Sequence, residues 1–195
     1  MKTIIAIDPG ASGGIAIRTP MDNVYAMPMP ETRGDVINFL KHHVGDHAKD
    51  CVAYHEKING YIPDGGPSMM FQFGANCERV GCILETLGVR IIEITPQAWQ
   101  KDLALGKKDL VRVPSAPKEL KGADKKEWNA ENADAIKAAK AHNAKAKTDW
   151  KNKLKSESQR RFPNVGATLK TCDALLILDY AVRHESRPST WDLFA

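Results

Sequence analysis

Short runs of β-branched and other apolar residues predict a β-sheet. Residues 3–8 and 14–18 are such runs, and the turn-forming Pro and Gly residues between them predict a hairpin. Residues 24–27 are a candidate third strand. Two later segments, 51–58 and 89–94, have the same strand character. The pattern therefore predicts a sheet of five strands.

Segments with helical spacing of apolar residues alternate with these strands. Residues 35–44 and 68–87 carry apolar side chains at intervals of three and four, which predicts one apolar face on each helix. In the longer helix the predicted apolar face consists of Met69, Met70, Phe73, Cys77, Val80, Leu84 and Leu87. Thr95 is an N-cap followed by a proline that suits the first helical position, and Thr171 can cap a last helix. This order predicts an α/β fold, a mixed five-stranded sheet flanked by helices on both faces.

One stretch differs in composition from the rest. Residues 106–150 are rich in Lys and Ala, and residues 123–155 combine high helix propensity with few large apolar residues. We expect a largely solvated, basic helical insertion here, continued as helix through residue 162. The whole chain, residues 1–195, is predicted to form a single domain around this insertion.

The distribution of charge supports that division. The chain has 28 Lys and Arg residues and 24 Asp and Glu residues, for a net charge of +4. Residues 106–155 hold 14 of the basic and 7 of the acidic residues, so this stretch is +7 and the remainder is −3. With 195 residues, 43% of them hydrophobic, the composition excludes a wholly disordered chain and a disulfide-stapled miniprotein.

The location of the protein is also predicted from simple features. No apolar run approaches the roughly 18 to 20 residues that span a bilayer, so no membrane partner is expected. The apolar start of the chain is too short for a signal-peptide core. The four cysteines form no Cys-x-x-Cys pair, which favours reduced thiols. We expect a cytoplasmic protein of a bacterial or phage-infected cell, with an organellar origin left open.

Three acidic residues stand at the ends of predicted elements. Asp8 ends the first strand directly before glycines, Glu56 lies near the end of the fourth strand, and Asp173 lies in the first turn of the last helix. If the two strands are neighbours, their carboxylates emerge at one edge of the sheet. Carboxylates that converge there repel one another unless cations neutralise them, and Mg²⁺ or Mn²⁺ meets that need.

Each of these acids also has a simpler interpretation. Asp8 can be a turn residue that accepts hydrogen bonds from the following backbone amides. Glu56 can be the solvent-facing end of a strand, and Asp173 can stabilise a helix N-terminus. The spacing of the three acids leaves both interpretations open.

Six segments in order resemble the motifs of one family. They are IIAIDPGASGG at 4–14, VAYHEK at 52–57, Phe73-Gly74 followed by Gly81, ITPQAWQK at 94–101, RFP at 161–163 and DALLI at 173–177. Together they resemble RuvC-type Holliday junction resolvases, most closely the phage and organellar branch, over roughly residues 3–105 and 150–184. The resemblance implies an RNase H-like fold, a homodimer and no nucleotide cofactor. It also implies symmetric paired nicks in four-way DNA junctions that leave 5′-phosphate and 3′-hydroxyl ends.

The resemblance assigns roles to individual residues. Asp8, Glu56 and Asp173 would be the catalytic metal ligands for Mg²⁺ or Mn²⁺, with two ions in each active site. The family usually has a further acid three or four residues before the last one, but Leu169 and Lys170 stand there in this chain. Lys170 would then contact phosphate instead, or activity would be reduced. Asp179 is about 600° of helical rotation past Asp173 and is expected to point elsewhere.

Other residues are predicted to contact DNA. Lys151 would stabilise negative charge on the reacting phosphate, with Lys153 as the near alternative, and Lys101 would contact a backbone phosphate. A solvated surface role is the alternative for each lysine. Tyr61, in a loop rich in Gly and Pro, is the aromatic residue best placed to stack on unpaired bases. Phe73 fits core or dimer packing better.

Several functional alternatives remain at this point. The insertion either grips junction DNA or serves solubility. A non-catalytic branched-DNA-binding protein and a nuclease acting on RNA–DNA hybrids both fit the same carboxylates. An actin-type or sugar-kinase ATPase also uses Asp and glycines after a first strand. Those proteins need two such domains, and 195 residues supply one.

Overall fold

The computed structural model describes residues 2–57 and 66–187. Its strands are β1 (Thr3–Asp8), β2 (Gly14–Arg18), β3 (Val24–Pro28), β4 (Cys51–Glu56) and β5 (Arg90–Ile94). Its helices are α1 (Arg33–Val44), α2 (Pro67–Thr86), α3 (Pro96–Asp102), α4 (Gly122–Glu131), α5 (Ala133–Arg161) and α6 (Cys172–Glu185). The strands form one sheet in the order β3-β2-β1-β4-β5. The predicted mixed five-stranded α/β sheet is confirmed.

The ends of the elements follow local chemistry. The structure starts α1 two residues earlier than predicted because Thr32 is its N-cap, accepting a hydrogen bond from the amide of Asp35 at 3.1 Å. Strand β4 ends at Glu56, whereas the prediction ran to Ile58, which lies outside the described residues. The proline after Thr95 opens α3 as predicted.

Strand β1 lies in the centre of the sheet. It pairs antiparallel with β2, with Ile7 opposite Ile15, and parallel with β4, with Ile7 opposite His55. Residues that lie opposite each other on neighbouring strands point to the same face of the sheet. The register therefore shows which residues of β2 and β4 share a face with each residue of β1. This arrangement brings the carboxyl ends of β1, β4 and β5 to one edge.

The main core lies on the face covered by α1 and α2. Alternate residues of the strands point into it and pack against apolar residues of the two helices. The fully buried members include Ile5, Ile7, Ile15, Ile17, Ala53, Val36, Leu40, Val80 and Leu84. Burial of this many large aliphatic side chains is the main favourable contribution to folding.

The opposite face is covered by α6. In the middle of this face β1 and β2 carry small residues, with Ala6 paired to Ala16, so the helix packs closely on the strands there. The predicted apolar face of α6 is buried and comprises Ala174, Leu175, Ile177, Leu178 and Ala181. Helices therefore flank both faces of the sheet, as predicted.

Helix α2 buries only part of its predicted apolar face. Only Val80 and Leu84 of its predicted apolar face are fully enclosed, and both lie in its second half. Met69 is 56% exposed in the first half, and Phe71, which is outside that face, is 78% exposed. A helix of 20 residues is about 30 Å long, whereas a six-residue strand is about 20 Å long. The helix is therefore longer than the strands against which its second half packs.

Residues 106–153 form a second compact unit, separate from the unit made by residues 1–105 and 154–195. It contains α4 and most of α5. The helical stretch predicted over residues 123–155 is divided at Asn132, whose side-chain amide donates to the carbonyl of Trp128 at 2.8 Å. Asparagine side chains compete in this way for backbone groups, and the chain leaves the helical path for one residue. Within the described ranges, none of the helices is both long and apolar enough to cross a membrane.

A polar cluster joins the sheet to the end of α6. Tyr54 is fully buried, and its hydroxyl donates to Glu185 Oε1 at 2.8 Å and lies 2.8 Å from Nδ1 of His184. Glu185 also pairs with Lys2 and, at 3.5 Å, with Arg90. Burial and the hydrogen bond to Glu185 raise the pKa of Tyr54, so the hydroxyl stays protonated and acts as the donor.

We expect Tyr54→Phe to destabilise the protein by about 1 to 2 kcal/mol, because it removes a buried donor to a carboxylate. The measurement is the free energy of unfolding in urea. Tyr25→Phe is the control, since Tyr25 is 43% exposed. Equal stability of the two variants would show that the Tyr54 hydroxyl contributes nothing.

Candidate functional site

Two carboxylates lie side by side where β1 and β4 end. Ile7 pairs with His55, so the next residues along the two parallel strands, Asp8 and Glu56, are neighbours. They share the face of the sheet that α6 covers, because the alternation places them with the Ala6–Tyr54 pair. Asp8 is 8% exposed and Glu56 is 9% exposed. The sheet edge thus holds two largely buried acids at adjacent positions.

The turn after β1 fits closely around the Asp8 side chain. The Gly10 amide donates to Asp8 Oδ1 at 3.3 Å, which is the turn interaction expected of an Asp in this position. A Cβ atom at Gly13 would lie 2.7 Å from the same oxygen and 2.2 Å from the Asp8 carbonyl oxygen. Only glycine fits at position 13, and it leaves room for a close approach to the carboxylate.

Glu56 is oriented by a residue of α3. The indole Nε1 of Trp99 donates to Glu56 Oε1 at 2.8 Å, in a buried environment. Trp99 is fully buried, and Thr95 caps its helix by accepting from the amide of Ala98 at 3.3 Å. The helix start is therefore well defined, and it holds the indole against one oxygen of the carboxylate.

The third predicted acid lies on the helix that covers this face. Asp173 is in the first turn of α6, is partly exposed, and accepts a hydrogen bond from the Cys172 thiol at 3.2 Å. Gly14, which pairs with Asp8, contacts the chain just before that helix. A Cβ atom at Gly14 would lie 3.0 Å from the Lys170 carbonyl oxygen. The start of α6 therefore packs against the strand end that carries Asp8.

These acids do not form a complete metal cage. In residues 2–57 and 66–187 no group of three or more His, Cys, Asp and Glu side chains is arranged to hold a metal ion. The structure brings Asp8 and Glu56 together and places Asp173 at the same end of the sheet. The site is thus a carboxylate pair with a third acid on the covering helix.

The other predicted DNA contacts are distributed over the chain. Lys101 is exposed on α3, and Lys170 is exposed in the turn before α6. Lys151 and Lys153 belong to the unit of residues 106–153, where Lys151 is partly exposed and Lys153 is exposed. Tyr61 lies outside the described residues. The DNA-binding roles of these residues remain predictions.

Two residues important to the site were not assigned a role from the sequence. Trp99 belongs to the TPQAW segment, but nothing in the spacing shows that its indole reaches Glu56. Gly13 is one of several glycines in a turn, and its need for a bare Cα becomes clear only from the contact with Asp8. Asp179, expected to point elsewhere, pairs with Arg161 and, at 3.1 Å, with Arg183.

Nearby titratable groups report on the charge of this edge. Burial raises the pKa of the Cys77 thiol to about 11, with further contributions from the charges of Glu78, Asp8 and Glu56. Burial also lowers the pKa of His55, so this imidazole is held neutral on the face opposite Glu56. Burial disfavours the charged form of both groups, and the neighbouring carboxylates add to the pKa shift of the thiol but oppose that of the imidazole.

Comparisons with known proteins give limited information. No family model and no curated protein matches the chain. Among solved structures, T. thermophilus RuvC in complex with a Holliday junction substrate is similar, with a TM-score of 0.39 and 13% identity over 53% of this chain and 71% of that chain. A likeness of this degree does not determine a function, so the functional argument rests on the site.

We expect Asp8→Asn to make Cys77 more reactive, because removal of a nearby negative charge lowers the pKa of the thiol. The alkylation rate of Cys77 by iodoacetamide near pH 9 should rise roughly twofold or more. Mass spectrometry of the modified peptides measures it, with exposed Cys82 in the same molecule as the reference. An unchanged ratio of Cys77 to Cys82 reactivity would mean that Asp8 carries no charge near this thiol.

Proposed function

We propose that this protein is a divalent-metal-dependent endodeoxyribonuclease that resolves four-way DNA junctions by paired nicks. The observation that carries the proposal is the Asp8–Glu56 pair at the carboxyl edge of neighbouring parallel strands. Two nearly buried carboxylates side by side repel each other, and a cation between them removes that cost. The ordered motifs that resemble junction resolvases select the substrate class.

The residues present suit Mg²⁺ or Mn²⁺. Both are hard cations that prefer oxygen ligands, and Mg²⁺ in phosphoryl-transfer sites is usually held by one or two carboxylates together with substrate phosphates. Asp8 and Glu56 supply such a pair, and the bare Cα of Gly13 lets the turn close around the Asp8 carboxylate. Asp173 would supply a further oxygen from α6. An incomplete protein cage is therefore compatible with a site that the DNA phosphate completes.

When bound, the metal ions, two per site in this proposal, supply an activated water and stabilise the departing 3′ oxygen. The chain's own residues position these reactants. Trp99 holds one oxygen of Glu56, and the Gly10 amide does the same for Asp8, so both carboxylates keep one defined orientation. The products of this reaction are 5′-phosphate and 3′-hydroxyl ends.

The symmetry of the substrate extends the proposal. Two nicks in strands related by a two-fold axis need two active sites, so the proposed active species is a homodimer. Lys101 and Lys170 are the proposed phosphate contacts near this edge, while Lys151 keeps its predicted role in stabilising charge on the reacting phosphate. Lys170 replaces an acid of the family pattern, so its contribution is to binding and not to metal ligation.

We expect Asp8→Asn, Glu56→Gln and Asp173→Asn each to reduce metal-dependent nicking of a synthetic four-way junction by at least about a thousandfold. Junction binding in EDTA should remain within a few-fold of the unmodified protein, because the fold and the basic surfaces are unchanged. Gel assays of nicking and fluorescence anisotropy of binding provide the two measurements.

Glu93→Gln is the matched control for these variants. Glu93 is an exposed acid on β5 that pairs with Lys57 at 2.6 Å, so its loss should leave nicking unchanged. Flap and RNA–DNA hybrid substrates belong in the same assay. Preferential cleavage of RNA–DNA hybrids would contradict the proposal that four-way junctions are the substrate. Near-normal nicking by any carboxylate variant would show that the substituted residue is not part of the active site.

Trp99 is proposed to position the Glu56 carboxylate, so Trp99→Phe should impair nicking through its effect on Glu56. The substitution keeps an aromatic ring in the buried site but removes the donor to Glu56 Oε1. We expect nicking to fall about 10- to 100-fold, with a higher Mg²⁺ concentration needed for half-maximal activity. A variant with lower stability but an unchanged Mg²⁺ requirement would assign Trp99 to packing alone.

A further inference from the structure

The unit of residues 106–153 carries most of the excess positive charge of the chain. It contains 13 Lys and Arg residues and 7 Asp and Glu residues, a net charge of +6. If these charges served only solubility, we would expect them to be spread around the helices. The structure instead gathers several of them along one groove.

One wall of this groove is the non-helical segment of residues 107–111, which is held against α5. The side-chain amide of Asn143 donates to the Val111 carbonyl at 2.9 Å and accepts from the Val111 amide at 2.9 Å. His142 Nε2 lies 3.0 Å from the carbonyl oxygen of Asp109. These contacts pair the segment with the helix much as a neighbouring strand would, so Lys107 and Lys108 project from a well-defined backbone.

The other wall is a single face of α5. Positions 142, 145, 146, 149, 150 and 153 recur at intervals of three and four, which places them on one side of the helix. Together the two walls enclose a groove of about 350 Å³. Its lining is Lys107, Lys108, Asp109, His142, Lys145, Ala146, Asp149, Trp150 and Lys153.

The balance of charge in the groove is positive. Four lysines face two acids, and one of those acids, Asp109, lies 3.5 Å from His142. The Lys153 ammonium is 5.6 Å from the ring centroid of buried Trp150, a cation–π contact that orders this side chain. Lysines contribute compact point charges that suit phosphate oxygens, whereas bidentate recognition of carboxylates favours arginine, which is absent from the lining.

We propose that this groove binds the phosphate backbone of DNA as a subsite separate from the carboxylate pair. The inference rests on the proposed function, because that function makes DNA the polyanion to which the protein binds. In this subsite Lys107, Lys108 and Lys145 contact successive phosphates, and the contact is independent of base sequence. The acidic edge of the sheet repels phosphates, and this subsite supplies attraction elsewhere on the chain.

The test compares two triple variants of the full-length protein with the same loss of charge. One is Lys107→Ala with Lys108→Ala and Lys145→Ala, which removes groove lysines that are exposed at the surface. The other is Lys121→Ala with Lys125→Ala and Lys126→Ala, which removes exposed lysines at the start of α4, outside the groove. Circular dichroism confirms that both variants keep their helices.

Binding to a fluorescent DNA duplex and to a four-way junction is measured in EDTA between about 50 and 200 mM salt. The groove variant should bind at least about tenfold more weakly, and the slope of log affinity against log salt should fall by roughly 2 to 3, at about 0.9 for each lost phosphate contact. The control variant should change affinity less than about threefold. This difference between variants of equal charge supports the subsite.

Three results would overturn the inference. Equal weakening of both variants would mean that only overall charge matters, and an unchanged salt slope in the groove variant would mean that its lysines touch no phosphate. If poly-glutamate displaced the DNA at equal charge concentration, the groove would be a site for acidic peptides. Failure of the proposed function is seen separately, as an absence of metal-dependent nicking by the unmodified protein, whatever the binding results.

Discussion

Parallel pairing of β1 with β4 is the constraint on which the candidate site depends. Because side chains alternate between the faces of a sheet, a slip of one residue would send Glu56 to the face of α1 and α2 and leave Asp8 without its neighbour. The β4 residues that precede Glu56 oppose such a slip, since it would move Ala53 out of the main core and turn Tyr54 away from Glu185. The packing of the core and the placement of the carboxylates are therefore consequences of the same register.

The electrostatics of the chain follow from this arrangement. At the sheet edge the Gly10 amide donates to Asp8 and the Trp99 indole donates to Glu56, and such bonds orient a carboxylate without cancelling its charge. Their negative potential extends far enough to raise the pKa of Cys77. A polyanion needs attraction from other parts of the molecule to approach such an edge, and residues 106–153 hold a large surplus of cations.

Much of the fold could be predicted because its strands and helix starts depend on residues that are close together in the sequence. Short runs of β-branched and other apolar residues marked all five strands, and Thr95 with its following proline marked the start of α3. Periodicity predicted an apolar face on α2 but not what would cover it, and Met69 on that face lies exposed. The contact from Trp99 to Glu56 joins residues 43 positions apart, and only the three-dimensional path of the chain reveals it.

The contact between Asn143 and Val111 has a consequence for how the sequence of residues 107–111 can change during evolution. The side-chain amide of Asn143 bonds only the main-chain N–H and C=O of residue 111, and these two hydrogen bonds do not involve the side chain at that position. Any residue with a free amide hydrogen satisfies that contact, and proline alone does not. The hydrogen bonds that hold the backbone of this segment therefore do not depend on its side chains. Its exposed positions can change in charge or size while the backbone stays in place.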